Sequence, residues 1–207
     1  MKLSKGFWAV AVVLIILIID QILKIWIKTH FVLYDEIRIA DWFILRFVEN
    51  NGMAMGIEVM AKSLLTMFRI IASFAIAFYM YSLVKRDFRP GYIVCIALIF
   101  AGAIGNIIDC IFYGVIFDSS YGQVATLFPP DGGYGTWLHG KVVDMFYFPL
   151  FETVWPSWVP WVGGEPFIFF SYIFNIADAS ISVGVAILLL FYRKTFSLSF
   201  EKKAIET

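Results

Sequence analysis

Four runs of about twenty apolar residues dominate the chain, at roughly 7–27, 61–84, 91–113 and 168–192. A helix needs about 20 such residues to cross the hydrocarbon core of a bilayer. The sequence therefore predicts four transmembrane helices. Of 207 residues, 61% are hydrophobic and 15% are charged, against 45–50% and about 25% in a soluble domain. A soluble globule could not bury that much apolar side chain. The first run follows Lys2 and Lys5 as a signal peptide would. It is too long for one, and no small-residue cleavage site follows, so it is read as a retained span.

Lysine and arginine distribution sets the expected orientation. Lys2 and Lys5 precede span one, and Lys85, Arg86 and Arg89 link spans two and three. Arg193, Lys194, Lys202 and Lys203 follow span four. These regions are expected in the cytoplasm, both termini included. Segments 28–60 and 114–167 are then extracytoplasmic. In the first, "EIRIADW" partly alternates polar and apolar residues, the period of a strand. It predicts a small sheet on the outer membrane surface, with Trp42 and Phe43 at the interface. In the second, "DSSYGQVATLFPPDGGYGTWLHGK" reads as loop. "FPLFETVWPSWVPWVGGEPFIFF" has too many prolines for a straight helix, and its tryptophans suit the headgroup level. The whole chain, 1–207, is read as one membrane-embedded domain.

Ionisable residues inside spans are costly and mark function by default. Here they are Asp20 and Lys24 in span one, Arg69 in span two, Asp109 in span three and Asp178 in span four. All fall in the outer half of the membrane, which points to one shared polar site. Asp20 and Lys24, at i and i+4, share a helix face and read equally as a self-neutralising pair or as part of a site. Asp109 lies in "GAIGNIIDC", where Gly102, Gly105 and Asn106 favour close helix packing. It reads first as packing glue. Asp178 has no basic neighbour within a turn. Asp144 interrupts the apolar stretch "KVVDMFYF". His139 reads as a loop residue and Cys110 as a buried small residue.

No G-x-S-x-G, H-E-x-x-H or Walker-type loop is present, and Cys95 and Cys110 have neither a zinc nor a disulfide spacing. Net charge is zero, so no nucleic-acid partner is expected. Aspartates remain. Two carboxylates sharing a proton can activate water on an amide without a metal or a covalent intermediate. A proton-coupled transporter would need a relay of ionisable groups reaching the cytoplasmic face, and none continues there. A non-catalytic scaffold leaves Asp144 and Asp178 unexplained.

The motifs "DQILK", "NNGMAMG", "GNIID", "VVDMF" and "FNIADASI", in this order on four spans, resemble those of the lipoprotein signal peptidases (signal peptidase II), bacterial membrane aspartic proteases. The resemblance implies an all-α membrane protein of four transmembrane helices, with a small extracytoplasmic β-sheet cradle and extended outer loops. It implies Asp144 and Asp178 as the catalytic dyad. Asp20, Lys24, Asn50, Gly52, Asn106, Asp109, Asn175 and Ala177 would bind substrate or support the dyad. The substrate would be a prolipoprotein whose lipobox cysteine carries diacylglycerol, cut just before that cysteine. No cofactor or metal is implied. The expected protein is a monomer among the lipids of the bacterial cytoplasmic (inner) membrane. Two departures stand out. The family usually has arginine after the aspartate of "GNxxD", where this chain has Cys110, and the outer segments here are long.

Overall fold

The protein is described by a computed structural model, for residues 4–51 and 59–201. Helix α1 (Lys5–Lys28) begins where the Ser4 hydroxyl accepts from the Phe7 amide, an N-cap that satisfies one orphan donor. Strands β1 (Glu36–Ala40) and β2 (Phe43–Asn50) follow as an antiparallel hairpin. The small sheet expected in this segment therefore begins with this hairpin. Helix α2 (Val59–Lys85) and helix α3 (Pro90–Ile108) come next. Pro90 opens α3 at the position where its missing N–H costs nothing. Beyond Ile108 the chain widens into a π-helical turn, Asp109–Tyr113, and closes with a short α4 (Gly114–Ile116). Such turns inside helices occur often at functional sites.

Segment 114–167 is more ordered than its loop-like composition suggests. It contains β3 (Val142–Tyr147) and β4 (Phe151–Val154), and β5 (Pro166–Phe169) starts at its end. Strands β4 and β5 pair as a separate two-stranded hairpin. The proline-rich, tryptophan-rich stretch is thus the hairpin and its tip. The main sheet has the order β1-β2-β3-β6, all antiparallel, with β6 at Ile173–Phe174.

Among the described residues three helices are long and apolar enough to cross a membrane, or four if one bent pair forms a single span, and that fourth differs from expectation. Helix α5 (Ile176–Phe191) has 16 residues and bends by 88° into α6 (Arg193–Phe200). The predicted start at 168 is corrected to 176, because "PFIF" and "IF" are taken up by β5 and β6. A short apolar run has no period that separates strand from helix. The expectation of apolar helices with a small sheet beside them stands: among the described residues the helices carry six short strands, in a four-stranded and a two-stranded sheet.

Two cores hold these parts. Between the helices lie Val13, Leu83, Tyr92, Ile96, Ala101 and Leu188. Beneath the sheet lie Ile27, Phe31, Phe47, Phe117, Val143 and Met145. Outward-facing side chains stay apolar, as Phe74, Phe78 and Phe191, about three-quarters exposed, illustrate. On a soluble protein such a surface would aggregate; facing lipid it is solvated. Lys5 pairs with Asp87 at 2.7 Å, and Arg86 donates to the Ser199 carbonyl. The start of α1, the α2–α3 link and α6 therefore share one end of the bundle. The sheet occupies the other.

Candidate active site

The site forms where α1, α3, β3 and the start of α5 converge. Helix α5 opens with a reciprocal cap. The Asn175 side chain accepts from the Asp178 amide at 2.9 Å, and the Asp178 carboxylate accepts from the Asn175 amide. The capping box fixes Asp178 at the third helical residue, within reach of the helix's positive end. On β3, Val143 and Met145 enter the lower core. Side chains alternate along a strand, so Asp144 between them points to the other face, toward the opening of α5.

Asparagines hold both carboxylates. Asn175 Nδ2 donates to Asp144 Oδ1 at 2.7 Å, and Asn50 Nδ2 donates to Asp144 Oδ2 at 3.1 Å. Asn106 Nδ2 donates to Asp178 Oδ1 at 2.8 Å. The Asn175 side chain thus donates to the Asp144 carboxylate and accepts from the Asp178 backbone amide. Asp144 is 2% exposed. Burial, and next the charge of Asp178, push its carboxyl up to about 7 from the ordinary 3.8.

A buried charge cluster lies behind the asparagines. Lys24, wholly buried, pairs with Asp20 at 2.9 Å and with Asp109 at 2.8 Å, and donates to Asn106 Oδ1 at 2.9 Å. Gln21 donates to Asp20 and to Asp109. Asp20 Oδ1 accepts from the Ala177 amide at 3.0 Å, inside the first turn of α5. Asp109 Oδ2 accepts from the Val143 amide at 3.2 Å, the residue before Asp144. These carboxylates therefore fasten the backbone beside each of the two other aspartates. Of the two readings open for Asp20 and Lys24, the pair exists, but it is shared with Asp109 and built into the site's support. Asp109 does join helices, as its packing context suggests, and also anchors β3.

Gly102 and Gly105 make this convergence possible. A Cβ on Gly102 would lie 2.2 Å from the Ala177 carbonyl, and one on Gly105 would lie 2.8 Å from Asp20 Oδ2. Gly52 lies outside the described residues. His139 bonds to Ser63, Thr136 and the Trp137 carbonyl, all away from the aspartates. Cys110 is buried and accepts from Arg69 Nη1 at 3.4 Å. Spacing alone did not find one contributor, Glu49. It lies on β2 between Lys28 at 2.5 Å and Lys141 at 2.9 Å. Burial would raise its carboxyl, but the two lysines outweigh burial and hold it below the usual range. This second cluster ties α1 to the sheet. Among the described residues no group of three or more His, Cys, Asp and Glu converges as metal ligands would.

Comparison with known proteins bears on this arrangement. A family model described as signal peptidase (SPase) II matches residues 12–194. The chain is 51% identical over 203 residues to a lipoprotein signal peptidase of Porphyromonas gingivalis, covering 98% of this chain and 90% of the relative. It is 34% identical to a lipoprotein signal peptidase of Amoebophilus asiaticus, covering 97% and 84%. In three dimensions it is similar to a bacterial membrane enzyme solved by the in meso method at 1.9 Å resolution. That likeness has a TM-score of 0.60 at 24% identity and covers 88% of this chain and 90% of the other.

Proposed function

The chain belongs to the signal peptidase II family, aspartic proteases of lipoprotein processing, and from that premise we propose that it removes the signal peptide from diacylglyceryl-modified prolipoproteins, with Asp144 and Asp178 as the catalytic dyad. The observation that carries this reading is Asn175, whose side chain donates to the Asp144 carboxylate and whose backbone amide donates to the Asp178 carboxylate at 3.4 Å, with Asp144 raised to about 7. Two carboxylates this strongly linked hold one proton between them near neutral pH. Asp144, buried and elevated, is the resting proton holder.

The reaction follows from that split. Asp178 takes a proton from water, and the water oxygen bonds to the scissile carbonyl carbon. Asp144 gives its proton to the carbonyl oxygen, and a gem-diol forms. Its collapse breaks the C–N bond, with a proton passing to the departing amine. Asn50, Asn106 and Asn175 hold the carboxylates in place. Asp20, Lys24, Asp109 and the Ala177 amide hold the elements that carry them. The substrate's signal helix and lipid both lie in the bilayer and reach the site sideways between helices.

The enzyme sits in the bacterial cytoplasmic membrane with both termini in the cytoplasm and the sheet on the outer face. The shared end of α1, the α2–α3 link and α6 supports this orientation, since all carry basic residues. The Trp-rich hairpin rests at the outer headgroups. Purified protein incubated with a diacylglyceryl prolipoprotein peptide tests the function. Release of a fragment ending just before the lipidated cysteine is expected. An intact lipidated peptide, or equal cutting of the unlipidated one, contradicts it.

A further inference from the structure

A cleft of about 320 Å³ opens between α2 and α3, lined by Ile70, Ser73 and Ala77 on one side and Ile104, Ile108 and Ile111 on the other. Its walls are apolar apart from Ser73. That residue is 3% exposed, and its hydroxyl has no hydrogen-bond partner among the described residues. A buried unmade hydrogen bond costs about 1–3 kcal/mol, so a donor kept there calls for an acceptor brought by a ligand.

Arg69 stands at the sheet end of the cleft. It precedes Ile70 in α2, and its one hydrogen bond among the described residues goes to Cys110, which precedes Ile111. No carboxylate pairs with it among those residues. An arginine inside a membrane span is expensive and normally has a partner. A guanidinium has five N–H donors, and four have no partner among the described residues. Depth narrows the class of partner. Lys62, one end of α2's apolar stretch, reaches Asn51 at an exposed position. Arg69 lies seven residues further in, about 10 Å along the helix. The headgroup layer is only about 6 Å thick on each side of the hydrocarbon. Arg69 is thus placed below the phosphates, at the level of glyceryl ester carbonyls.

We propose that this cleft takes an acyl chain of the substrate's diacylglyceryl group, with Arg69 donating to that group's ester carbonyl oxygens. The inference rests on the proposed function, which puts the lipidated cysteine next to the scissile bond. Continuity with the site supports it. Cys110 follows Asp109, the anchor of β3, and Ile107 and Ile108 follow Asn106, the donor to Asp178. A lipid bound here would hold the adjoining peptide bond over the dyad. The Ser73 hydroxyl, one turn from Arg69 on the same helix face, supplies a further donor inside the cleft.

The test uses the full chain in detergent and lipopeptides of one sequence that differ only in the lipid: long-chain diester, long-chain diether and short-chain diester. Arg69→Gln is expected to lower kcat/KM at least tenfold on the long diester, the scale of one hydrogen bond to a charged group, and by less than twofold on the diether. Ala77→Leu fills the cleft. It is expected to lower kcat/KM about tenfold on the long diester while the short diester is cut at the wild-type rate, which also shows the variant to be folded. Equal losses on diester and diether for Arg69→Gln, or on long and short chains for Ala77→Leu, overturn the proposal. So does loss of a co-purified phospholipid from the variants with substrate selectivity unchanged, because the cleft would then hold bilayer lipid. Wild-type cleavage of the long diester decides the proposed function separately, and the substrate ratios decide this site.

Discussion

Replacing Lys24 by Met removes the one cation of a buried triad and keeps most of its volume. The ammonium is fully buried and lies 2.9 Å from Asp20 and 2.8 Å from Asp109. Deleting one partner of a buried ion pair leaves an uncompensated charge and costs about 3–5 kcal/mol. Here two carboxylates are stranded, so the upper half of that range is expected. At about 2–4 °C per kcal/mol for a chain of this size, thermal unfolding in detergent should fall by roughly 10 °C. Asp109→Asn placed on top removes one stranded charge. The double variant should then be about 1–3 kcal/mol more stable than the sum of the single losses. A drop below about 2 °C for Lys24→Met, or strict additivity in the cycle, would refute the view that the triad fastens α1, α3 and β3 together.

The Asp144 carboxyl gives stability a pH dependence with a defined sign. Its folded value, about 7, lies above the ordinary 3.8, so the folded state keeps a proton that the unfolded chain releases. This group's contribution is most favourable below about pH 4, falls as pH rises toward 7, and above 7 is a constant cost of up to about 4 kcal/mol. Asp144→Asn should therefore raise the unfolding temperature more at pH 8 than at pH 4.5, less whatever the Asn50 and Asn175 bonds contribute. A gain independent of pH counts against the raised value. A cysteine at the exposed Ser119 should react with an impermeant thiol reagent in intact cells, and labelling only after permeabilisation would invert the topology. Trp158 and Trp161, 80% and 99% exposed at the hairpin tip, should be quenched by lipids brominated near the headgroup. An unchanged quenched fraction in the Trp158→Ala/Trp161→Ala variant contradicts interfacial seating.

Much of the fold is visible in residue order because lipid imposes a length. Spans one to three were bounded within a few residues, and β1 followed from the alternation in "EIRIADW". The start of α5 was missed, although the signal was present: Asn175 followed three residues later by Asp178 is a capping box. Strand β3 was hidden because both its faces are covered, which erases the alternation that marks a half-buried strand. Within the site, depth drew attention to Asp20, Asp109 and Asp178 together. Only the resemblance separated Asp144 and Asp178 as the dyad. The pairing of Lys24 with Asp109 could not be read from spacing, since it joins helices far apart in the chain. The unusual Cys110 was legible as a departure, but not that Arg69 from another helix would contact it.

Cleavage by the two isosteric variants tests the central claim most directly. An asparagine cannot take a proton from water as a carboxylate does, nor give one as a carboxylic acid does. Asp144→Asn and Asp178→Asn, each purified and folded, should bind a diacylglyceryl prolipoprotein peptide and fail to cut it, with at least a thousandfold loss of turnover on the scale of about 10²–10⁴ for an acid–base group. Near wild-type cleavage by either variant contradicts the two-aspartate account.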